Sequence, residues 1–172
     1  MFYKLSVKDH IRVPPELFGS DIEEALLTQI KTDYEGYISK ELGSVIDVVE
    51  VEDVGEGRLI PGDGATYYEC RFKIISFIPE QQEVVYGMVK DIADFGAFLS
   101  MGPSEGMVHI SQTMDDFVSF SKEKVLVGKE SEDTLKVGDR CRARIISISY
   151  KNISNPKTGL TMRQEGLGKI TV

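Results

Sequence analysis

"VVYGMVKDIADFGAFLSMGPSEGMVHISQ" runs from Val84 to Gln112. Its reading decides the fold of the second half of the chain. Three short stretches, Val84 to Ile92, Ala97 to Met101 and Gly106 to His109, have the composition of strands, and glycine-containing turns separate them. Regularly spaced short strands of this kind are the pattern of a small barrel. Two further strands are expected at Arg140 to Ile148 and Gly159 to Met162. Between the third and fourth strands lies "TMDDFVSFSKEKVLVGKESEDTLKVGD". Its Phe117, Phe120, Val125 and Leu126 predict a partly packed excursion with a helical turn. Five strands with a long connection before the fourth fit an OB-type barrel.

Phe95 and Phe98 are three residues apart, so a regular strand would place them on opposite sides. A bulge or kink at Gly96 would return them to one side, and glycine permits it. His109 on the next strand would then be near. Rings on an exposed barrel face can stack unpaired bases. The plain alternative is that one phenylalanine closes the core and His109 satisfies a carbonyl. Arg140, Arg142 and Arg144 recur at period two and share one strand face. With Lys90 on the first strand they can attract a phosphate backbone, or they can form a solvated face balanced by nearby acids.

The first half reads as mixed α and β. "FYKLSVKDHIRV" is a strand that "PPELFG" breaks. Ser20 with Glu23 forms a capping box. Ile22, Leu26, Ile30 and Tyr34, with Ala25 and Leu27 beside them, make an apolar helical stripe that ends near Gly36. "SVIDVVEVEDV" is a β-branched strand. "GEGRLIPGDGA", with four glycines and a proline, is expected to be a loop. "TYYECRFKIISFI" is a strand whose end is apolar on both faces, with Ile74 and Ile78 on one and Ile75 and Phe77 on the other. Such an end requires cover on both sides: the helix on one, and the second domain, another chain or the protein's own interior on the other. Pro79 closes this strand, and the domain boundary is placed at Glu80, giving domains 1–80 and 81–172.

The chain has 172 residues, 41% of them hydrophobic, which is ordinary for a globular protein. No apolar run approaches the roughly 18 residues of a membrane span, and the charged start "MFYKLSVKDH" is no secretory signal. A cytoplasmic protein without membrane partners is expected. Cys70 and Cys141 match no metal spacing, and only His10 and His109 accompany them, so no metal or cofactor is expected. Both cysteines read as reduced, packed thiols. The net charge of −8 is unevenly placed. Residues 1–80 carry 8 Lys+Arg against 16 Asp+Glu, and residues 81–172 carry 12 against 12. Such asymmetry suggests two units with different partners.

The stretch from Val84 to Gln112 closely resembles the RNA-binding OB domain named after ribosomal protein S-one, over about residues 83–165. In that family the positions of Phe95, Phe98 and His109 line the RNA face. The family often adds an Asp after the fourth strand and an Arg or Lys before the fifth. Here Ser149 and Gly159 stand near those positions, which implies weak, sequence-tolerant binding of single-stranded RNA.

The blocks "RVPPELFG", "GEGRLIPGDGATYYE", "FIPEQQEVVYGMV", "MDDFVSF" and "LTMRQEGLGKI" extend the resemblance to the whole chain. In this order they resemble the E-prime family of archaeal RNA polymerase subunits, counterpart of the seventh subunit of eukaryotic RNA polymerase II. The resemblance implies a truncated RNP-like α+β domain followed by the all-β OB domain. It implies a non-catalytic stalk subunit that docks on the polymerase core, pairs with a small helical F-type subunit and lies near the emerging transcript. Pro14, Pro15, Phe18, Gly62, Asp63 and Gly64 would form the docking tip. Ile75, Phe77 and Ile78 would meet the F-type subunit. The competing readings are a free-standing RNA-binding protein of RNA decay or translation, and a metal-dependent nuclease built on the carboxylates of "EVED" or "MDD". No Ser–His–Asp set can be argued from the two histidines, and the phosphate-cradling motif GxxxxGK[ST] does not occur.

Overall fold

The computed structural model describes residues 1–121, 123–152 and 156–170. The chain divides into two compact units, Phe2–Ile78 and Pro79 onward.

The first unit is an antiparallel sheet with a helix on one face. Its elements are β1 (Phe2–Val13), α1 (Ile22–Tyr34), β2 (Ile38–Ser39), β3 (Gly43–Leu59) and β4 (Thr66–Phe77), in sheet order β1-β4-β3-β2. The helix starts one residue later than its capping box suggests: Asp21, not Ser20, is the N-cap and accepts from the Glu23 amide at 2.8 Å. Ala25, Leu26 and Ile30 bury against Ile11, Val13, Val45, Val48, Phe72 and Ile74. Ile22 stays 43% exposed, so the apolar stripe is narrower than its sequence period. Tyr34 packs edge-on against Phe72, with ring centroids 4.9 Å apart, and its hydroxyl donates to the Asp9 carboxylate. Gly36, at φ 79°, turns the chain out of the helix.

Strand β3 departs most from expectation. It continues through Gly55 and Gly57 to Leu59, so the loop shrinks to residues 60–65. Glycine reads as loop, but these two are strand positions approached by β4. A Cβ on Gly55 would lie 3.1 Å from the Glu69 carbonyl, and one on Gly57 would lie 2.7 Å from the Tyr68 ring. The register slips between Val45 and Asp47, Val48 and Glu50, and Val51 and Asp53. Each slip is a bulge that adds one residue. Val45, Val48, Val51 and Val54, three apart, therefore all reach the helix side. The other face carries paired charge, with Lys73 between Glu50 (3.0 Å) and Glu52 (2.8 Å).

In the second unit, β5 (Val84–Ala93), β6 (Gly96–Ser100), β7 (Glu105–His109), β11 (Arg140–Ser149) and β12 (Lys157–Thr161) close a barrel. Its order is β12-β7-β6-β5-β11, with β11 returning to β12. β7 and β12 pair in parallel and the other barrel pairs are antiparallel. This is the five-stranded OB barrel expected from the strand spacing. The interior is filled by Val85, Val89, Ile92, Ala97, Leu99, Val108, Cys141, Ala143, Ile145 and Leu160. A two-residue strand, β13 (Gly168–Lys169), pairs antiparallel with Cys141 and Arg142 of β11.

The excursion is a β-meander, β8 (Val118–Ser121), β9 (Val125–Gly128) and β10 (Thr134–Lys136), where a helical turn is expected. One 3-10 turn, Ile110–Gln112, precedes it. Phe117 is 76% exposed and Phe120 also faces out. The anchors are Leu126 and Leu135, paired in register and buried in the barrel core. Burying each contributes about 1.5–3 kcal/mol. Asp116 ties the far end, its Oδ2 accepting from the amides of Glu130 (2.9 Å) and Ser131 (3.0 Å) and from the Ser131 hydroxyl (3.0 Å).

Both cysteines are free and buried, each in its own unit's core, and burial pushes their thiols up to about 11. Among the described residues, no helix is long and apolar enough to cross a membrane.

This packing can be probed at two positions. A Cβ on Gly96 would collide with the Val108 carbonyl oxygen across the β6–β7 pair. Gly96→Ala is expected to destabilise the barrel by about 2 kcal/mol, read as a lowered urea midpoint; an unchanged midpoint contradicts the close approach. The amides of Ser131 and Glu130 hold the Asp116 carboxyl below its ordinary value. A depressed folded value means this stabilisation is full above about pH 3.9 and is lost as pH falls through the folded value. An NMR carboxyl titration should place Asp116 below about 3.9; a midpoint at or above that value removes the tie.

Candidate nucleic-acid interface

Phe95 reaches its place through a tight turn rather than a bulge at Gly96. Ala93 pairs with Gly96, so Asp94 and Phe95 alone connect β5 to β6. The irregularity lies on β5, between Val89 and Asp91. Phe95 stands 48% exposed at the turn. Phe98 points outward from β6, between buried Ala97 and Leu99, and is half-buried. The two rings meet edge to face at 5.9 Å and 89°. His109 ends β7 directly opposite Gly96 and is exposed. The Ser111 amide donates to its Nδ1 at 3.3 Å and the Ser111 hydroxyl lies 2.9 Å away. With Nδ1 accepting, the neutral ring carries its proton on Nε2, which is left to donate outward. The structure thus brings all three predicted rings together.

The charged residues divide into two groups. Lys90 pairs with Glu105 and Lys124 pairs with Asp91 at 2.6 Å, so the cations beside Phe98 are matched by carboxylates. Arg140, Arg142 and Arg144 lie on β11 opposite Met88, Tyr86 and Val84 of β5. Among the described residues they form no ion pair. They share the barrel's outer surface with Phe98 but stand two strands away from it. Ser149 ends β11, and Gly159 pairs with Ser147. Residues 153–155 of the segment between them lie outside the described residues.

In the first unit the two predicted tip segments touch. A Cβ on Gly64 would lie 3.6 Å from the Pro15 ring. Pro15 opens a 3-10 turn, Pro15–Leu17, and Phe18 follows it at 50% exposure. Asp63 fastens the loop: Arg12 donates to it twice, at 2.9 and 2.8 Å, the Tyr67 hydroxyl at 2.7 Å and the Ala65 amide at 3.1 Å. The Arg12 and Tyr67 hydrogen bonds hold its carboxyl well below the usual carboxylate range. Gly62, at φ 91°, makes the turn possible.

Of the three residues expected to meet a partner protein, Ile75 stands 36% exposed on the sheet face away from the helix. Phe77 is only 3% exposed and Ile78 is half-buried. Phe2 of β1, in register with Phe77, covers it with ring centroids 5.1 Å apart. Much of the cover that the two-sided strand requires therefore comes from within its own sheet. Sequence reasoning passes over Tyr86, although the outward alternation of Val84, Tyr86 and Met88 is there to be read.

Residues 8–64 match the family model described as "SHS2 domain found in N terminus of Rpb7p/Rpc25p/MJ0397", and residues 78–154 match the S1 RNA binding domain. The DNA-directed RNA polymerase subunit Rpo7 of Sulfolobus acidocaldarius is 38% identical over 99% of this chain and 93% of its own. The Rpo7 of Saccharolobus shibatae is 37% identical over 99% and 96%. RNA polymerase II subunit RPB7 of Saccharomyces cerevisiae is 24% identical over 84% and 86%. Such matches span both units, which a free-standing RNA-binding module does not explain. With identity sustained along nearly the whole of both chains, this protein belongs to the Rpo7/RPB7 family of non-catalytic DNA-directed RNA polymerase subunits.

Proposed function

We propose that the chain is a cytoplasmic polymerase stalk subunit whose residues 1–80 dock on the polymerase core and whose residues 81–172 contact the emerging transcript. What carries this reading is the 38% identity to a polymerase subunit over 99% of the chain. The docking element is the tip formed by Pro14, Pro15, Phe18 and Gly62–Asp63–Gly64. Its support is the Arg12–Asp63–Tyr67 clamp, which holds the Gly62–Asp63–Gly64 loop in one fixed shape. Preformed shape lowers the ordering cost of binding. A small helical F-type subunit pairs with the sheet end at Ile75 and Ile78. Phe77 stands beside Ile75 on the same strand and is covered by Phe2.

Transcript contact falls to Phe95, Phe98 and His109, with Arg140, Arg142 and Arg144 drawing in the phosphate backbone. Bases stack on the two rings, and His109 Nε2 donates to a base or phosphate. Binding is weak because Lys90 and Lys124 are neutralised by Glu105 and Asp91. The charged residues that the S-one face usually carries are also replaced by Ser149 and Gly159. Weak contact suffices where a docked stalk holds the transcript at high local concentration.

Affinity isolation of the tagged chain from native extract, read by mass spectrometry, tests the first half of this reading. Polymerase subunits are expected in stoichiometric yield, and three serines inserted into Gly62–Asp63–Gly64 are expected to abolish it. Normal recovery with the insertion overturns the tip assignment. For the second half, Phe95→Ala with Phe98→Ala should weaken binding of a labelled single-stranded RNA by roughly ten-fold or more, since stacking is worth about 1–3 kcal/mol per base. Fluorescence anisotropy measures it, with folding checked by circular dichroism. Wild-type affinity in the folded double variant would remove the rings from the RNA path.

A further inference from the structure

We propose that the outer face of β5 and β11 is a second base-stacking platform for single-stranded RNA, built on Tyr86 and held in place by Arg142. It continues the surface of Phe95, Phe98 and His109 around the barrel. The inference rests on the transcript-contacting role proposed above.

Along β5 the inner residues Val85 and Val89 are buried, while Val84, Tyr86 and Met88 face outward at 39%, 66% and 51% exposure. A tyrosine two-thirds exposed on a regular strand contributes little to the core. Opposite these three, in register, stand Arg144, Arg142 and Arg140. The Arg142 guanidinium lies over the Tyr86 ring, 5.4 Å from its centroid, and its Nη1 donates to the Gly166 carbonyl at 3.1 Å. That anchor fixes the guanidinium, and the guanidinium fixes the ring. A pre-oriented ring with an exposed surface is what base stacking uses, and a stacked arginine adds cation–π attraction.

Charge identifies the ligand as a polyanion. Elsewhere in this unit Lys90, Lys124, Arg163 and Lys169 each pair with a carboxylate. Arg140, Arg142 and Arg144 form no ion pair among the described residues. Three arginines without carboxylate partners alternate along one strand of a chain with net charge −8 and concentrate positive charge beside the Tyr86 ring. An acidic peptide would use the arginines but has no need of the oriented ring. Single-stranded RNA uses both.

The spacing suits one continuous strand. Phe98 is in register with Asp91, and Tyr86 lies five residues back along β5, roughly 17 Å away at the rise of an extended strand. OB folds engage about 4–16 nucleotides, so a tetranucleotide occupies one platform and a dodecanucleotide reaches both.

The test compares oligouridylates of those two lengths, binding to the full chain by fluorescence anisotropy. Wild type should prefer the dodecamer. Tyr86→Ala should reduce that preference by about ten-fold, while Tyr86→Phe retains it. Replacing the three arginines with glutamine should reduce the slope of log affinity against log salt by about 2. The length ratio is internal to each variant, so a loss of folded protein does not mimic the effect. If Tyr86→Ala keeps the full preference while the Phe95/Phe98 double variant loses binding, the second platform is wrong and the transcript-contacting reading stands. If wild type binds neither oligomer, that reading fails and this inference fails with it.

Discussion

The backbone of Gly96 lies against the Val108 carbonyl, in space that any side chain would need. This close approach fixes the β6–β7 pairing, and the pairing fixes the candidate RNA surface. It sets His109 opposite Gly96 and lets the Ile110 amide donate to the Phe95 carbonyl at 2.9 Å. The two-residue turn that carries Phe95 is thereby held to the strand that carries His109. Phe98, two residues beyond Gly96, falls outward because Ala97 and Leu99 must fill the barrel. One missing Cβ and the period of a strand thus place three rings on one surface.

In the first unit the corresponding constraint is the triplet spacing of valines in β3. A regular strand would send Val45 and Val48 to opposite faces. Repeated bulges bring Val45, Val48, Val51 and Val54 to the helix side and leave Asp47 and Glu50 opposite Ile75 and Lys73 of β4. On the outer sheet face Glu50, Glu52 and Glu69 pair with Lys4, Lys8 and Lys73. The excess of eight acids in residues 1–80 remains after such pairing.

What is legible in the sequence follows from local periodicity. The barrel strands, β1, the helical stripe and the end near Gly36 can be read because burial imposes periods of two and 3.6 on neighbouring residues. What is not legible depends on register between distant segments. Gly96 reads as permissive, but the cause is the Val108 carbonyl on another strand, not a bulge. Of the apolar residues read in the excursion, Leu126 is an anchor, but Phe117 and Phe120 are exposed and the second anchor, Leu135, is passed over, because Leu126 and Leu135 pair in register and reach the barrel core. Gly55 and Gly57 read as loop until β4 is laid beside them. The Phe2 cover over Phe77 and the Arg142 contact with Tyr86 are likewise invisible until strands are paired. The candidate RNA surface is legible in its rings, through the Phe–Gly–Ala–Phe spacing, and hidden in its charges. Lys90 is matched by Glu105, while the β11 arginines are not matched by any described carboxylate.

On the proposed path, RNA follows the outer barrel surface from β7 and β6 across β5 to β11. Photocrosslinking of thiouridine-substituted single-stranded RNA to the full chain, with adducts mapped by mass spectrometry, tests it most directly. Adducts are expected on the peptides carrying Phe95, Phe98, His109 and Tyr86. Adducts confined to the meander between Val118 and Lys136, or to the first unit, would contradict it.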